Sequence, residues 1–297
     1  IRLNSNGTLD TTYATAGIYT QTMGTDDSIF TSSIQPDGKI VLSGYAQIAG
    51  VYQVLSIRLN SDGTHDSRYA LTNKYTQVIG TESIIFTSAI QSDGKIVLAG
   101  YATIAGVEQV LSIRLNSNGT LDTTYATAGI YTQVIGTESI IFTSAIQSDG
   151  KIVLAGYATI AGVEQVLSIR LNSNGTLDTT YATAGIYNQV IGIDSNINTS
   201  IIQSDGKIIL SGYAIIAEVH QVLSIRLNSN GTLDTTYATA GIYTQVIGSD
   251  SNINTSIIQS DGKIILSGYA IIAEVHQVLS IRLNSNGTLD TTYATAG

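Results

Sequence analysis

Short runs of β-branched and other apolar residues, separated by polar stretches, recur along the whole chain. Between residues 139 and 192 these runs are SIIFTSAIQ (139–147), KIVLAGYAT (151–159), QVLSIRLN (165–172) and IYNQVIG (186–192). Asp-Gly or Asn-Gly pairs stand at two of the breaks, and glycine tolerates the positive φ of a tight turn. No run shows the 3.6-residue periodicity of an amphipathic helix. The pattern therefore predicts four short strands with antiparallel connections.

Both faces of these predicted strands are apolar or small. In SIIFTSAIQ, Ile140 and Phe142 share one face, and Ile141 and Ala145 share the other. A sheet with two such faces must be covered on both sides. Four-stranded antiparallel sheets packed between like neighbours are the blades of a β-propeller. We therefore predict an all-β fold, a β-propeller of four-stranded antiparallel blades. An open β-solenoid is the alternative, but it needs polar end caps that these repeats lack.

The whole pattern returns every 56 residues, and residues 76–131 and 132–187 are identical. Equivalent repeat positions fall at 1, 57, 113, 169, 225 and 281, so five periods and a further 17 residues make up the chain. A fixed period of this length indicates one supersecondary unit that has been multiplied. We predict a single β-propeller domain over residues 1–297.

The number of blades follows from the order of the strands within the repeat. We predict five blades, with the ring closed by pairing of Ile18–Gly24, the first copy of the fourth strand, with Gln277–Asn284, the last copy of the third. Such a pairing closes one blade with the N- and C-terminal strands and removes an exposed edge. Residues 1–17 and 281–297 are equivalent and cannot occupy one place, so an excerpt from a longer array is the alternative.

Composition narrows the classes of function. Charged residues make up only 12% of the chain and the net charge is −9, which argues against a nucleic-acid partner because phosphate binding needs clustered Lys and Arg. No apolar run approaches the length of a membrane span. Cysteine is absent, so disulfides and thiolate metal sites are excluded. A polar, weakly charged surface without cysteine is typical of exported bacterial β proteins. The expected location is therefore extracellular or at the cell surface, although the chain shows no signal peptide.

Two phrases resemble the delta-60 repeat, a tandem module of bacterial proteins classed with the β-propellers. They are QPDGKIVLSG at Gln35–Gly44 and IRLNSDGTHD at Ile57–Asp66, and their copies recur one period on. The resemblance covers essentially the whole chain and implies a propeller fold. It implies no activity, because the family is mostly uncharacterised.

Repeated tyrosines are the candidate ligand contacts. One set recurs in the second predicted strand and another in the long connection that follows the third strand. Tyrosine beside Asn, Asp and Thr could form one sugar-stacking pocket per repeat, and weak repeated sites gain strength through avidity. The alternative is packing between repeats with the hydroxyl hydrogen-bonded. The candidates are Tyr45, Tyr101, Tyr157, Tyr213 and Tyr269 in the strand, and Tyr125, Tyr181, Tyr237 and Tyr293 in the connection.

Acidic residues and histidines are the next candidates. Roughly one acid per repeat precedes the first strand, which fits a solvated acidic rim better than the fixed carboxylate pair of a glycosidase. The histidines fall in or beside turns, where solvated side chains are expected rather than a shared zinc site. The acids are Asp26, Asp27, Glu82, Glu138, Asp194 and Asp250, and the histidines are His65, His220 and His276.

A calcium loop is a further possibility in the stretch from Asn116 to Asp122, where Asn118 precedes a glycine and an Asp follows it. The position of the first carboxylate holds Arg114, and no closing Glu follows. The sequence therefore predicts a capped hairpin turn and no cofactor, with calcium as the alternative.

Because the repeats are nearly identical, the sequence shows no asymmetric set of residues of the kind that forms a catalytic site. We therefore predict that the chain is not an enzyme but a structural or adhesive repeat module of an exported bacterial protein. Its partners would be a protein or glycan surface, or further repeats of the same parent chain. A multivalent, lectin-like carbohydrate-binding propeller is the alternative.

Overall fold

The computed structural model of the protein describes residues 1–294, so the last three residues of the repeated phrase at 281–297 lie outside the described residues. Within that range the chain forms strands and turns, without a helix. The strands are β1 (Asp27–Ile34), β2 (Ile40–Ile48), β3 (Val51–Leu59), β4 (Lys74–Gln77), β5 (Glu82–Ile90), β6 (Ile96–Ile104), β7 (Val107–Leu115), β8 (Ile130–Gln133), β9 (Glu138–Ile146), β10 (Ile152–Ile160), β11 (Val163–Leu171), β12 (Ile186–Gln189), β13 (Asp194–Ile202), β14 (Ile208–Ile216), β15 (Val219–Leu227), β16 (Ile242–Val246), β17 (Asp250–Ile258), β18 (Ile264–Ile272) and β19 (Val275–Leu283).

In the first four repeats, four consecutive strands pair antiparallel in chain order, as in β13-β14-β15-β16. We number the repeats 1 to 5 from β1, β5, β9, β13 and β17. The predicted all-β architecture, with four antiparallel strands per repeat, is therefore confirmed for repeats 1 to 4. The fourth strand is shorter than predicted, because only four or five residues find a partner along the third strand.

A β-bulge interrupts the pairing of the first two strands in every repeat. In repeat 2 the register shifts between Ile85 and Thr87, opposite Gly100. A Cβ on Gly100 would lie 2.0 Å from the carbonyl oxygen of Ile84, so only glycine allows this approach. The bulge sets the direction of the residues that precede it, among them Glu82 at the start of β5.

Apolar side chains of neighbouring repeats form the core. Val222 of β15 is fully buried in a cluster with Ile253 and Leu266 of repeat 5. Val41 and Val54 of repeat 1 pack in the same way with Ile85 of repeat 2. In these two pairs of repeats, an apolar face of one sheet is thus packed against the next, as the sequence pattern indicates.

The strand predicted at Ile18–Gly24 is not formed. Among the described residues, Ile18–Gly24 contains no strand, and repeat 5 contributes only β17, β18 and β19. The carboxylate of Asp27 accepts the backbone N–H groups of Met23 and Gly24 at 2.5 and 2.9 Å and so holds this segment in a turn beside β1. The outer edge of β19 is consequently open, and Val278 is 94% exposed.

Contacts between residues divide the chain into two units, Ile1–Gln133 and Val134–Gly297. The first contains repeats 1 and 2, and the second contains repeats 3 to 5. Among the described residues, no helix is long and apolar enough to cross a membrane.

Candidate functional site

In repeats 1, 3 and 4, a buried arginine of the third strand joins the repeat to the one that follows. Arg58 donates through Nε to Asp66 at 3.0 Å and lies 4.9 Å from the ring centre of Tyr69. Its Nη1 donates to the backbone carbonyl of Ser117, 59 residues further along the chain. Arg170 and Arg226 repeat these contacts with the carbonyls of Ser229 and Ser285. We call this arrangement the arginine latch.

The carboxylate of the latch is strongly stabilised in its ionised form. Burial by itself raises the pKa of Asp66, but hydrogen bonds from Lys39, from the backbone of Arg68 and from Arg58 outweigh it and lower the pKa to about 2. Asp122, Asp178 and Asp234 have the equivalent lysine and arginine partners and also accept a hydrogen bond from a threonine hydroxyl, and their pKa values are likewise lowered.

The tyrosines of the long connection belong to this latch. Tyr125, Tyr181 and Tyr237 are fully buried, and each carries a guanidinium over its ring at 4.7 to 4.8 Å. The Tyr125 hydroxyl lies 2.8 Å from the Ser112 hydroxyl. Tyr293 contacts Arg282 in the same manner. Tyr125, Tyr181 and Tyr237 have no surface that a ligand could reach, and they fix the connection against the sheet, whereas Tyr293 is only half-buried.

The tyrosines of the second strand lie instead beside the acids that open the first strand. Tyr101 donates to Glu82 at 2.9 Å, and Tyr157 donates to Glu138. Tyr45 donates to Asp26 at 3.4 Å. The structure therefore brings the strand tyrosines and the acidic rim, which the sequence treats separately, into one site per repeat.

In repeats 1 and 2 this site grows into a continuous row of rings, which we call the aromatic–carboxylate cluster. Tyr52 contacts Tyr45 edge to face at 5.2 Å, Phe30 lies 5.8 Å from Tyr45 and 5.0 Å from Phe86, and Phe86 stacks on Tyr101 at 6.1 Å. The Tyr52 hydroxyl donates to Asp26 at 3.2 Å. Phe30 is 49% exposed and Asp26 is exposed, so the cluster has a face open to solvent.

Sequence reasoning missed the phenylalanines of this cluster. Phe30, Phe86 and Phe142 stand one position before the conserved Thr of the first strand, where repeats 4 and 5 hold Asn198 and Asn254. Aligning the repeats would have shown this exchange of an aromatic for an amide, which separates repeats 1 to 3 from repeats 4 and 5.

A pair of carboxyl groups distinguishes repeats 3 and 4. Burial, together with a hydrogen bond that protonated Glu164 donates to the adjacent Asp194 and with the charges of Asp194 and Glu138, raises the pKa of Glu164 to about 7. In repeat 4 a histidine occupies the place of Glu164, and His220 Nδ1 lies 3.4 Å from Asp250. The first pair is two carboxyl groups, Glu164 and Asp194, whereas the second pair is the imidazole of His220 and the carboxylate of Asp250.

The remaining candidates have local partners. His65 stacks with Tyr19 at 6.5 Å, and His276 lies 5.6 Å from the ring of Tyr269. In the predicted calcium loop, Asn118 Oδ1 accepts the backbone N–H of Thr120 at 3.1 Å. Within the described residues, no group of three or more His, Cys, Asp or Glu side chains converges in a way that could hold a metal ion.

Polar clefts lie where turns of neighbouring repeats meet. A cleft of about 470 Å³ between repeats 1 and 2 is lined by Lys39, Arg58 and Asp93, and one of about 590 Å³ between repeats 3 and 4 is lined by the equivalent Lys151, Arg170 and Asp205. The cations that line these clefts already bind the latch aspartates, as Lys39 binds Asp66 at 2.9 Å.

Comparison with known proteins identifies the repeat. A family model described as "Domain of unknown function (DUF5122) beta-propeller" matches five segments of the chain. A search of the curated proteins found no match to the chain. The matched segments are residues 35–69, 91–125, 147–181, 203–237 and 259–293. Each begins at the glutamine before the Asp-Gly turn and ends at the latch tyrosine or its equivalent.

Three solved structures resemble the chain only distantly in sequence. Sqt1 from Chaetomium thermophilum is 13% identical, with a TM-score of 0.38 over 89% of this chain and 70% of that one. An ulvan lyase of polysaccharide lyase family PL25 is 7% identical, with a TM-score of 0.43 over 86% of this chain and 64% of that one. A proposed glycoside hydrolase from Bacteroides ovatus is 11% identical, with a TM-score of 0.37 over 88% of each chain.

The prediction that the chain is not an enzyme is wrong. It was based on repetition alone, yet a polysaccharide lyase and a proposed glycoside hydrolase are among the structures that resemble the chain. The activities named for those two proteins are theirs, and they assign none to this chain.

Proposed function

The chain belongs to the DUF5122 β-propeller family, and from that premise we propose that it is a repeat-built binding module for glycans. The observation that carries the proposal is the aromatic–carboxylate cluster of repeats 1 and 2. It combines a row of rings, two carboxylates and an accessible face in a single site.

The chemistry of the cluster matches that of a sugar ring. A pyranose presents an apolar C–H face, which packs on an aromatic ring such as the exposed Phe30, and hydroxyl groups, which donate to carboxylates. Asp26 and Glu82 supply acceptors at opposite ends of the row, and each is held in place by a tyrosine hydroxyl. Ligand sites commonly combine an apolar lining with a few fixed polar groups in this way.

Repetition supports binding at more than one place. Phe142 stacks on Tyr157 at 6.1 Å, and Tyr157 donates to Glu138, so repeat 3 carries the same three groups as repeat 2. Two weak sites on one chain bind a polymer more tightly than either site alone, provided that both are reached together.

The test is a glycan array probed with the intact chain, followed by calorimetry on the best oligosaccharide. Phe30→Ala removes an exposed ring, and Tyr52→Glu installs the residue that repeats 2 and 3 carry at this position, so both variants are expected to fold. We expect at least about tenfold weaker binding for each, which corresponds to about 1.4 kcal/mol. Leu71→Ala is the matched control, because Leu71 is 92% exposed outside the cluster and should leave binding unchanged.

Absence of binding to every glycan, or equal binding by Phe30→Ala and the parent chain, would refute the proposal. A structural or adhesive role through protein contacts is the second candidate, and the exposed apolar residues Ile34, Val275 and Val278 support it. Assignment to the delta-60 repeat and an extracellular or cell-surface location are finer predictions from the sequence, and they belong to the same proposal.

A further inference from the structure

The arginine latch shows how this protein holds a positive charge. In repeat 1 the guanidinium of Arg58 donates through Nε to Asp66 at 3.0 Å, and its central carbon lies 4.9 Å from the ring centre of Tyr69. A charge-assisted hydrogen bond and a cation–π contact thus act on one group. A carboxylate beside an aromatic ring is therefore a combination that binds a cation in this chain.

The aromatic–carboxylate cluster has the same combination on an accessible surface. Tyr45 and Tyr52 donate to the two oxygens of Asp26 at 3.4 and 3.2 Å, and their rings contact each other edge to face at 5.2 Å. Phe30 continues the row of rings, 5.8 Å from Tyr45. Because Asp26 and Phe30 are both exposed, a ligand can reach the carboxylate and a ring together.

The cation that completes the latch has no counterpart in the cluster. Within the described residues, neither Asp26 nor Glu82 forms an ion pair with a lysine or an arginine. The turn lysines of repeats 1 and 2, Lys39 and Lys95, bind latch aspartates at 2.9 and 3.1 Å. Lys74 donates instead to a backbone carbonyl at 3.5 Å. The negative charge of the cluster is therefore left for a ligand to neutralise.

The two carboxylates of the cluster act on the same place. The hydrogen bond to Asp26 is the largest of the effects that raise the pKa of Tyr52, and desolvation and the charges of Asp26 and Glu82 add to it. Desolvation is the largest effect that raises the pKa of Tyr45, and the charge of Asp26 follows it. The negative potential is therefore concentrated beside these two tyrosines.

We infer that the cluster binds amino sugars, with the protonated amine at Asp26 beside the rings of Tyr45 and Tyr52, and with the C–H face of the sugar on Phe30. The inference deepens the proposed glycan-binding function and rests on it. A protonated amine donates charge-assisted hydrogen bonds to a carboxylate and is attracted to aromatic rings. Each oxygen of Asp26 accepts one tyrosine hydroxyl, so lone pairs remain for the amine.

The same charges select against acidic glycans. A uronate or sulfate group at the cluster would meet Asp26 and Glu82, and the whole chain carries a net charge of −9. Repeat 3 also has crowded acids, since burial and the neighbouring Asp194 and Glu138 raise the pKa of Glu164 to about 7. A polymer of amino sugars would therefore find negative charge at more than one repeat.

Calorimetry with two tetrasaccharides of the same linkage tests the inference. One consists of glucosamine and the other of N-acetylglucosamine, which has the same ring but no charge on its nitrogen. In mildly acidic buffer, which keeps the amine protonated, the intact chain should bind the glucosamine tetramer at least about tenfold more tightly. Raising NaCl from about 50 to about 500 mM should remove most of this preference, because salt screens exposed charges.

Three variants separate the charge from the ring. Asp26→Asn removes the charge at nearly constant shape, so it should weaken binding of the glucosamine tetramer at least about tenfold and change binding of the acetylated tetramer little. Phe30→Ala should weaken both by a similar factor, because the C–H face is common to both sugars. Asp37→Asn is the matched control, since it removes the same charge from an exposed turn of repeat 1 and should change neither.

Equal or tighter binding of the acetylated tetramer would overturn the inference and leave the glycan proposal standing. An unchanged preference in Asp26→Asn would also overturn it. Hexalysine that binds as tightly as the glucosamine tetramer would do the same, because the cluster would then recognise charge without a sugar. If neither tetramer binds, the inference fails, and the glycan array shows separately whether the glycan proposal fails with it.

Discussion

At the residue scale, the arginine latch decides how the protein responds to acid. The folded pKa of Asp66 is about 2, below the value near 3.8 of an unperturbed aspartate, so the folded state favours the ionised form. Its contribution to stability is present above about pH 4 and is lost as the pH falls from about 4 to about 2. Four further latch aspartates titrate in the same direction, and they should add to the effect. They are Asp122, Asp178, Asp234 and Asp290.

Urea denaturation measured between pH 7 and pH 2 checks this prediction. Stability should be nearly constant down to about pH 4 and then fall steeply. Asp66→Asn should be less stable than the parent chain at pH 7 and should lose less on acidification. Asp93→Asn, at an exposed turn, should keep the pH profile of the parent chain. A flat profile down to pH 2 would contradict the role assigned to the latch.

Two glycines with similar backbone angles make a second residue-scale prediction. Gly119 has φ of 87° and Gly106 has φ of 79°, so alanine is strained at both. A Cβ on Gly119 would lie 2.5 Å from a ring carbon of the buried Tyr69, whereas a Cβ on Gly106 would meet nothing within 4 Å. Gly106→Ala should cost about 1 kcal/mol of the free energy of unfolding, and Gly119→Ala about 3 kcal/mol.

Chemical denaturation of the two variants measures this difference directly. Similar losses would mean that backbone strain alone matters and that Tyr69 can move. The sequence shows both glycines as turn formers, but it does not show which one supports a tyrosine of the preceding repeat.

At the element scale, much of the repeat could be predicted from the sequence. Apolar runs and Asp-Gly or Asn-Gly turns place the first three strands of repeat 3 within about two residues, because β-branched residues and turn glycines act locally. The bulge opposite Gly100 could not be predicted, since it depends on a close backbone approach between two strands.

The candidate site was predicted only in part, because its residues meet across strands and repeats. Tyr101 and Glu82 are 19 positions apart, and Phe30 meets Phe86 of the next repeat. Neither contact can be inferred from the spacing of residues along a single strand. The exchange of Phe142 for Asn198 was visible in the sequence, but its meaning depends on which first strands are neighbours.

At the scale of the whole molecule, equivalent residues have different surroundings in inner and terminal repeats. Val222 and Val278 occupy the same position of the third strand, yet the first is fully buried and the second is 94% exposed. The difference arises because repeat 4 is followed by another repeat and by β16, whereas β19 has an open edge.

Substitution by aspartate at the two valines tests this difference. Val222→Asp buries an unpaired charge and should cost at least about 3 kcal/mol of the free energy of unfolding. Val278→Asp should cost less than about 0.5 kcal/mol, as surface substitutions do. Urea denaturation of both variants gives the comparison, and a large loss for Val278→Asp would show that β19 is covered in solution.

The arginine latch has a direction, and this direction matters while the protein is being made. Arg58, Arg170 and Arg226 each reach a carbonyl that lies 59 residues nearer the C-terminus. A ribosome releases the chain from its N-terminus, so each guanidinium emerges before the oxygen that will accept its hydrogen bond. The latch of a newly made repeat therefore forms only after the next repeat has left the ribosome. The contacts between repeats consequently form in the order in which the repeats are synthesised.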